Sequence, residues 1–181
     1  TPEDRVALGT PYPDFTWGIT NTFQIKDFDI SFLIQGVQGI TVLNGDVYYN
    51  ETKKWNKKYT KNRWVSAEHP GDGKTPYQNV KTGHDLMLTD YPLQNASYAC
   101  LRNFTVGYTL PATAARKIKL SGVRFYVSGS NLLYIWGSGY KGINPESRMT
   151  SGNYSSAMIS GYQRGGFPLT STISAGFDIN F

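Results

Sequence analysis

The chain has 181 residues, of which 14% are aromatic and only 17% charged, with a formal net charge of +5. This composition excludes an intrinsically disordered chain, which has few aromatic residues and many charges. No apolar run reaches the roughly 18 residues of a transmembrane helix. The single Cys100 cannot form an internal disulfide. Abundant Gly and Tyr are instead typical of an all-β protein with tight turns.

Two strands joined by a tight turn are predicted after a proline-rich lead-in. Apolar and polar residues alternate over 15–25 and again over 28–36, with Lys26 and Asp27 between them. A period of two residues predicts strands with one apolar and one polar face. A two-residue gap predicts a hairpin. The alternation then disappears over 37–97, which predicts a long loop.

Three further alternating segments are predicted as strands over 98–110, 122–135 and 169–181. Cys100 falls on the apolar parity of the first, which predicts a buried, inert thiol. Asn131 falls on the apolar parity of the second, where a β-bulge is the available explanation. The connection 111–121 is short, and the connection 136–168 is long. Long and short connections therefore fall at opposite ends of an antiparallel up-and-down meander.

Two architectures fit five such strands. Left alone, the sheet would expose two edges and a broad apolar face. The last strand has at least the roughly 9–11 residues that a membrane barrel strand needs, so the sheet can be one wall of a transmembrane barrel with long extracellular loops and short periplasmic turns. The alternative is a soluble β-sandwich that binds carbohydrate through exposed aromatic residues, its apolar face covered by a second sheet.

Motifs for chemistry are weak in this chain. The segment 137–142 matches G-x-G-x-x-G, but Pro145 follows where a nucleotide site needs a helix. His69 and His84 lack the spacing of metal ligands, and no G-x-S-x-G motif is present. We therefore predict no enzyme activity, no catalytic residues, no cofactor and no metal site.

A basic cluster lies in the first long loop, from Lys53 to Arg63, with Trp55, Tyr59 and Trp64 among its charges. Such a cluster can bind single-stranded nucleic acid, contact anionic lipid headgroups, or form a solvated loop. The solvated loop is favoured, and nucleic acid is not predicted as a partner.

Six blocks of sequence, in order along nearly the whole chain, are Gly9–Gly18, Phe28–Ser31 with Gln35–Gly36, Asn62–Trp64, Ser97–Pro111, Val127–Leu132 and Phe167–Phe181. Together they resemble the C-terminal end of the SusC/RagA family, the TonB-dependent transporters of the Bacteroidetes outer membrane. One departure is Ile143-Asn144 before Pro145-Glu146, where the family more often has an aromatic residue and Asp.

The resemblance implies a plugged barrel of about 22 strands, of which residues 1–181 supply the last five. The plug domain, the segment that engages the TonB complex and most barrel strands would lie outside this chain. The implied function is TonB-energised import of glycan or peptide fragments across the outer membrane, with a SusD-like surface lipoprotein as partner. The terminal Phe181 resembles the family's barrel-assembly signal.

Connection lengths predict the orientation of the segment in the outer membrane. Residues 26–27, 111–121 and the C-terminus are predicted to face the periplasm, and loops 37–97 and 136–168 the outside, while the apolar parities meet lipid. The polar residues predicted to face the lumen or plug are Gln24, Asn103, Arg124, Tyr126, Ser128, Asp178 and Asn180. The loop aromatic residues predicted to contact substrate or partner, since rings stack on sugars and anchor interfaces, are Trp55, Trp64, Tyr91, Trp136 and Tyr140.

Overall fold

The computed structural model describes residues 3, 6–46, 62–75, 77, 89–137, 139–147, 161–163 and 166–181. The chain divides into two units, which we call the sheet unit (within 16–37, 98–135 and 169–181) and the loop unit (within 1–15, 38–97 and 136–168). The part that the structure describes contains no helix long and apolar enough to cross a membrane.

The elements of the described residues are, in chain order, β1 (Phe15–Ile25), β2 (Phe28–Gln38), β3 (Thr41–Asn44), β4 (Leu93–Asn95), β5 (Tyr98–Thr109), α1 (Ala112–Lys117), β6 (Gly122–Trp136), β7 (Tyr162–Gln163) and β8 (Thr172–Asn180). Five of these strands form one sheet in the order β1-β2-β5-β6-β8. The pairs β2–β5 and β6–β8 are antiparallel. The predicted all-β antiparallel meander is confirmed.

The sheet has one apolar and one polar face, as a period of two residues requires. On the apolar face of β8, Ile173 and Phe177 are 73% and 64% exposed. Their neighbours on β6, Phe125 and Val127, are exposed as well. Within the described residues the apolar face of this sheet therefore stays uncovered, which is the opposite of a sandwich core.

A β-bulge at Arg102 changes which face the start of β5 presents. Leu33 pairs with Asn103, but the next residue, Ile34, pairs with Leu101, so Arg102 has no direct partner on β2. One extra residue exchanges the faces of everything before it. Cys100 pairs with Gln35 and is buried, but it lies on the polar face. The predicted apolar parity of Cys100 is therefore wrong.

The backbone conformation at Asn131 explains two observations: why a polar residue lies at a position of apolar parity, and why β8 begins later than predicted. Its φ of 55° is left-handed, a conformation that Asn tolerates better than most residues. The turned backbone ends the β6–β8 ladder at Ser130 and Thr172, and the Asn131 carbonyl instead accepts a hydrogen bond from Ser171 Oγ at 2.7 Å. Strand β8 thus begins three residues after the predicted position 169.

The loop unit contains regular structure that the alternation did not predict. Strands β4, β3 and β7 form a three-stranded sheet, in which β3 is antiparallel to β4 and parallel to β7. The predicted loops 37–97 and 136–168 are therefore partly strands. In the sheet unit, the predicted connection 111–121 contains α1, which begins after Pro111 and buries Ala115.

Candidate functional site

An ion-pair network crosses the polar face of the sheet unit. The Arg124 guanidinium on β6 donates from Nε to Asp29 Oδ1 at 3.0 Å and from Nη2 to Asp29 Oδ2 at 2.6 Å. A third donor, Nη1, lies 3.3 Å from Asp178 Oδ2 on β8. The first pair is bidentate, which is the strong geometry for Arg and a carboxylate. One arginine therefore connects β2, β6 and β8.

The absence of a side chain at Gly107 lets the Arg124 guanidinium extend across β5 to Asp29. Strand β5 lies between β2 and β6, and a Cβ on Gly107 would overlap the Asp29 carboxylate and the Arg124 guanidinium. The guanidinium also lies over the Tyr126 ring, 5.3 Å from its centroid, in a cation–π arrangement. Glycine again provides the space, since a Cβ on Gly176 would overlap the Tyr126 hydroxyl.

The other polar residues predicted to face the lumen share this face. Asn103 Oδ1 accepts a hydrogen bond from Ser130 Oγ at 3.1 Å, and Ser128 pairs with Ser174. Asn180 pairs with Gly122 at the end of the same ladder. Gln24 is exposed near the end of β1. That this face meets the lumen or plug stays a prediction.

A second polar group on the same face centres on Arg102 and was missed by the sequence pattern. Its Nη1 donates to Asn131 Oδ1 and to the Tyr134 hydroxyl, each at 2.8 Å. The Gln35 amide, with its oxygen turned toward the guanidinium, accepts from Nη2 at 2.8 Å. Only the β-bulge brings Arg102 to this face, and no local signal in the sequence marks a bulge there.

The loop unit contains a cavity of about 600 Å³. Among the described residues its lining comes from three segments, residues 72–75, residues 90–95 and residues 139–141, and exposes both polar and apolar surface. Among the predicted contact residues, Tyr91 lies in the lining, and its hydroxyl accepts a hydrogen bond from Lys141 Nζ at 3.2 Å. The Lys141 ammonium also lies 5.1 Å from the Tyr91 ring centroid. A cavity of this size falls within the range of ligand pockets, roughly 300–1,000 Å³.

Buried side chains of the three-stranded sheet of β4, β3 and β7 fix the positions of residues around this cavity. Gln94 Oε1 accepts hydrogen bonds from Asn44 Nδ2 at 3.0 Å and from the Lys141 backbone N–H at 2.9 Å. The Tyr140 hydroxyl donates to Gln163 Oε1 at 2.7 Å. Because Tyr140 is only 7% exposed, it packs inside the loop unit, and its neighbour Trp136 contacts it edge-to-face at 6.2 Å.

The remaining predicted loop residues are divided between described and undescribed parts of the chain. Trp64 is 41% exposed and contacts Tyr77 edge-to-face, with ring centroids 6.0 Å apart. Trp55 lies outside the described residues, as does the basic cluster apart from Arg63. Among the residues that the structure describes, no group of three or more His, Cys, Asp or Glu side chains could hold a metal ion.

Asp72 fixes the loop that forms one wall of the cavity. Its Oδ1 accepts from the backbone N–H of Lys74 at 2.9 Å and of Thr75 at 2.6 Å, and its Oδ2 accepts from Thr75 Oγ1 at 2.9 Å. These hydrogen bonds favour the charged carboxylate. They lower the pKa of Asp72 from 3.8 to about 2, the Thr75 N–H first and the Lys74 N–H second.

We expect this wall to loosen in acid. Because the folded pKa is the lower one, the stabilisation from Asp72 is complete above pH 3.8 and is lost as the pH falls towards about 2. Hydrogen exchange of a peptide spanning residues 62–75, corrected for intrinsic rates, should show protection that decreases over this window. Asp72→Ala should abolish that protection at every pH, whereas Asp27→Ala at the β1–β2 turn should leave it intact. Equal protection in wild type and Asp72→Ala would contradict the assignment.

No family model matches the chain. Similar proteins are TonB-dependent receptors P3 and P26 of Formosa agariphila, which are 30% and 29% identical over 98% and 99% of this chain. TonB-dependent receptor SusC of Bacteroides thetaiotaomicron is 27% identical over 79% of it. The chain spans only 17%, 18% and 14% of the lengths of these three relatives.

Solved structures of the RagAB peptide importer have a similar fold. The closed-closed state matches 97% of this chain with a TM-score of 0.67 at 21% identity, and the match covers 18% of that chain. The open-open state matches 93% with a TM-score of 0.64 at 22% identity, covering 17% of that chain. At this identity the likeness shows the fold alone.

Proposed function

Because this chain belongs to the SusC/RagA family of TonB-dependent receptors, we propose that it is one part of the wall of an outer-membrane nutrient transporter. The observation that carries the proposal is the five-stranded meander with an exposed apolar face and a polar face tied together by Arg124. A strand crossing a membrane in a barrel needs lipid-compatible side chains on one side and polar ones on the other.

In this proposal each face has a defined neighbour. The apolar face, with Phe177 and Ile173, meets the lipid of the outer membrane, and the polar face meets the lumen and plug of the same transporter. Residues 26–27, the helix α1 and the C-terminus lie on the periplasmic side, with Phe181 as the barrel-assembly signal. The loop unit lies outside the cell, because long loops of such barrels are extracellular and short turns periplasmic.

The transporter imports glycan or peptide fragments and draws its energy from the TonB complex through a part outside this chain. A SusD-like lipoprotein caps it from outside. Support comes from the names of the relatives, SusC among them, and from the RagAB peptide importer, whose fold this chain shares. Within the loop unit, Tyr91 at the cavity and the exposed Trp64 and Trp136 are the proposed contact residues. Tyr140 is buried and contacts the Trp136 ring edge-to-face, and Trp55 stays a sequence-based prediction.

The alternative, a soluble sandwich that binds carbohydrate, needs a second sheet over the apolar face. Within the described residues that face is exposed. Transport is also the better interpretation because the similar proteins are TonB-dependent receptors and the RagAB peptide importer, and we propose that this chain has no enzyme activity.

An epitope-insertion experiment in the source bacterium tests this assignment. One tag is inserted at Gly73, where a Cβ would meet nothing within 4 Å, and a matched tag between Lys26 and Asp27 in the β1–β2 turn. We expect both proteins in the outer-membrane fraction, with a gel mobility that shifts on boiling. On intact cells, antibody should label the Gly73 tag only, and the second tag should need permeabilised cells.

Recovery in the soluble fraction without a mobility shift would end the transporter proposal and support the sandwich. Reversed labelling would overturn the orientation only. The import step is tested separately with fluorescent oligosaccharides and peptides. Uptake of one class should disappear when the gene is deleted or when TonB is depleted, and a SusD-like lipoprotein should co-purify with the tagged transporter.

A further inference from the structure

We propose that the connection 111–121 of the sheet unit binds the headgroups of anionic phospholipids, with Arg116, Lys117 and Lys119 as its cationic contacts and Ile118 as its apolar anchor. The inference rests on the proposed function, because it takes the sheet to cross a membrane. It adds which lipid chemistry one end of that sheet meets. The structure describes every residue of the connection.

Hydrogen bonds between neighbouring segments place the connection at one end of the sheet. The Thr109 backbone N–H, at the end of β5, donates to the Asp27 carbonyl in the β1–β2 turn at 2.8 Å. The Ser121 N–H, just before β6, donates to the Asn180 carbonyl at the end of β8, also at 2.8 Å. The connection therefore shares this end of the sheet with the β1–β2 turn and the end of β8.

An aromatic pair marks the level of this end relative to the membrane. Phe28 and Tyr108 are the pair of the β2–β5 ladder nearest the β1–β2 turn, and their ring centroids lie 4.8 Å apart. Asp29 and Gly107, the next pair, belong to the polar face with its ion pair, so both rings lie on the apolar face. Membrane barrels carry girdles of aromatic side chains at both interfaces. The connection follows Tyr108 beyond the end of β5 and is therefore expected at headgroup level.

The connection carries three positive charges and no negative one. Helix α1 buries Ala115 and has Arg116 and Lys117 in its last turn, both exposed, and Lys119 is exposed just beyond it. No Asp or Glu occurs between positions 111 and 121. The neighbouring β1–β2 turn adds one lysine and one aspartate, which compensate each other. A surplus of this kind attracts the phosphate groups of anionic lipids.

Ile118 adds an apolar contact between these charges. Its side chain is 56% exposed, and it stands between Lys117 and Lys119 in the chain. Segments that lie in a membrane interface combine cationic side chains for the headgroups with apolar ones that enter the acyl boundary. Free phosphate could neutralise the cations but would leave Ile118 in water. The combination therefore favours a lipid over a small soluble anion.

The backbone at this end holds two lysines in a conformation that disfavours them. Among the described residues, the non-glycine residues with positive φ are Lys26, Asn62, Lys119 and Asn131. Asn tolerates a left-handed backbone, whereas Lys at a φ of 54° or 62° bears a steric cost that Gly would avoid. Glycine is also the usual residue just after a helix, which is the place of Lys119. Lysine at both positions indicates that positive charge at this end has a function of its own.

The test uses the complete transporter in nanodiscs of phosphatidylcholine that contain a trace of a photo-cross-linking phospholipid. The probe is a phosphatidylglycerol or a phosphatidylcholine with the same diazirine-bearing acyl chain, and cross-links to residues 111–121 are counted by mass spectrometry. We expect the phosphatidylglycerol probe to give about tenfold more cross-links or better, since each Lys or Arg near an anionic surface contributes roughly fivefold. Replacing Arg116, Lys117 and Lys119 together by Gln should bring the ratio of the two probes to about one.

Matched variants separate the effect of charge from other effects. A variant that exchanges lysine and arginine at the same three positions keeps every charge and should keep the ratio. Replacing Lys53, Lys54 and Lys57 by Gln removes the same charge from the first long loop and should leave the ratio at residues 111–121 unchanged. Ile118→Ser should lower cross-linking by both probes and leave their ratio as it is.

Equal cross-linking by the two probes in the wild type overturns the proposal. A ratio that survives the loss of the three charges, or that falls as far in the first-loop variant, overturns it as well. The boiling-dependent mobility shift shows that each variant is folded. If the triple variant does not fold, Lys119→Gln takes its place, and the ratio should then fall about fivefold.

The proposed function and the lipid site can fail separately. Both leaflets of the nanodisc have the same composition, so the ratio does not depend on which end of the sheet faces the periplasm. Reversed labelling of the epitope tags on intact cells would overturn the proposed orientation, and the cross-linking ratio would still decide the lipid site.

Discussion

Phe177→Arg is expected to destabilise the folded transporter by about 2–4 kcal/mol, the largest effect that we predict for a single substitution. Phe177 lies near the middle of β8, pairs with Phe125 on β6, and is 64% exposed on the apolar face. If that face meets the hydrocarbon core, the substitution forces a guanidinium into a medium where charge is poorly solvated. The cost falls to about 0–1 kcal/mol near the membrane interfaces, so the size of the effect also reports the depth of the residue.

Ser174→Arg provides the matched control on the same strand. Ser174 is exposed and pairs with Ser128 on the polar face, so arginine there keeps its hydration and should change stability by less than roughly 0.5 kcal/mol. Both variants of the complete transporter are compared by their yield in the outer membrane and by the temperature at which the unboiled, folded gel band disappears. Equal behaviour of the two variants would mean that the apolar face does not meet lipid.

Gly107→Ala is expected to separate Arg124 from Asp29 and to cost about 1.5–3 kcal/mol, the range for hydrogen bonds to charged groups. The added Cβ would occupy the space where the guanidinium crosses β5 to reach the carboxylate. Side chains at a contact of this kind can move, but they can do so only by giving up the bidentate geometry. The loss of stability is measured by the temperature at which the unboiled, folded gel band of the complete transporter disappears.

A double-mutant cycle distinguishes this cause from a general intolerance of β5 to alanine. In a background where Arg124 and Asp29 are both replaced by Leu, the added cost of Gly107→Ala should differ from its cost in wild type, because the sites share partners. Gly122→Ala is the matched glycine control, since its Cβ would lie 3.4 Å from Asn180 Nδ2, an ordinary contact. Additive effects throughout the cycle would contradict the role assigned to Gly107.

The five long strands could be predicted from the sequence because the alternation of apolar and polar residues is a local signal. Alternation over 15–25 or 28–36 requires only that neighbouring residues face opposite sides of a strand. Strands β3, β4 and β7 have four, three and two residues, which is too short for a period of two to be distinguished from chance. Their residues are set by partners far away in the chain, as when Leu43 of β3 pairs with Leu93 and with Tyr162.

The candidate sites depended even more on tertiary structure. The sequence marked Arg124 and Asp178 as sharing a polar parity, but not that Arg124 would bind Asp29, from which 95 positions separate it. The sequence marked Tyr91 as an aromatic loop residue, but not the cavity that it shares with Asp72 and Lys141. Cavities form where segments distant in the chain converge, and composition carries no information about that convergence.

The all-β meander, its long and short connections and the separation of apolar from polar faces are encoded locally, since they follow from a period of two residues and from turn chemistry. The positions where that period is interrupted depend instead on how the strands pair in the folded chain. The bulge at Arg102 moved Cys100 to the polar face, and the left-handed backbone at Asn131 delayed β8. Both depend on the register between strands, and register is a property of pairs of segments, which a single segment does not encode.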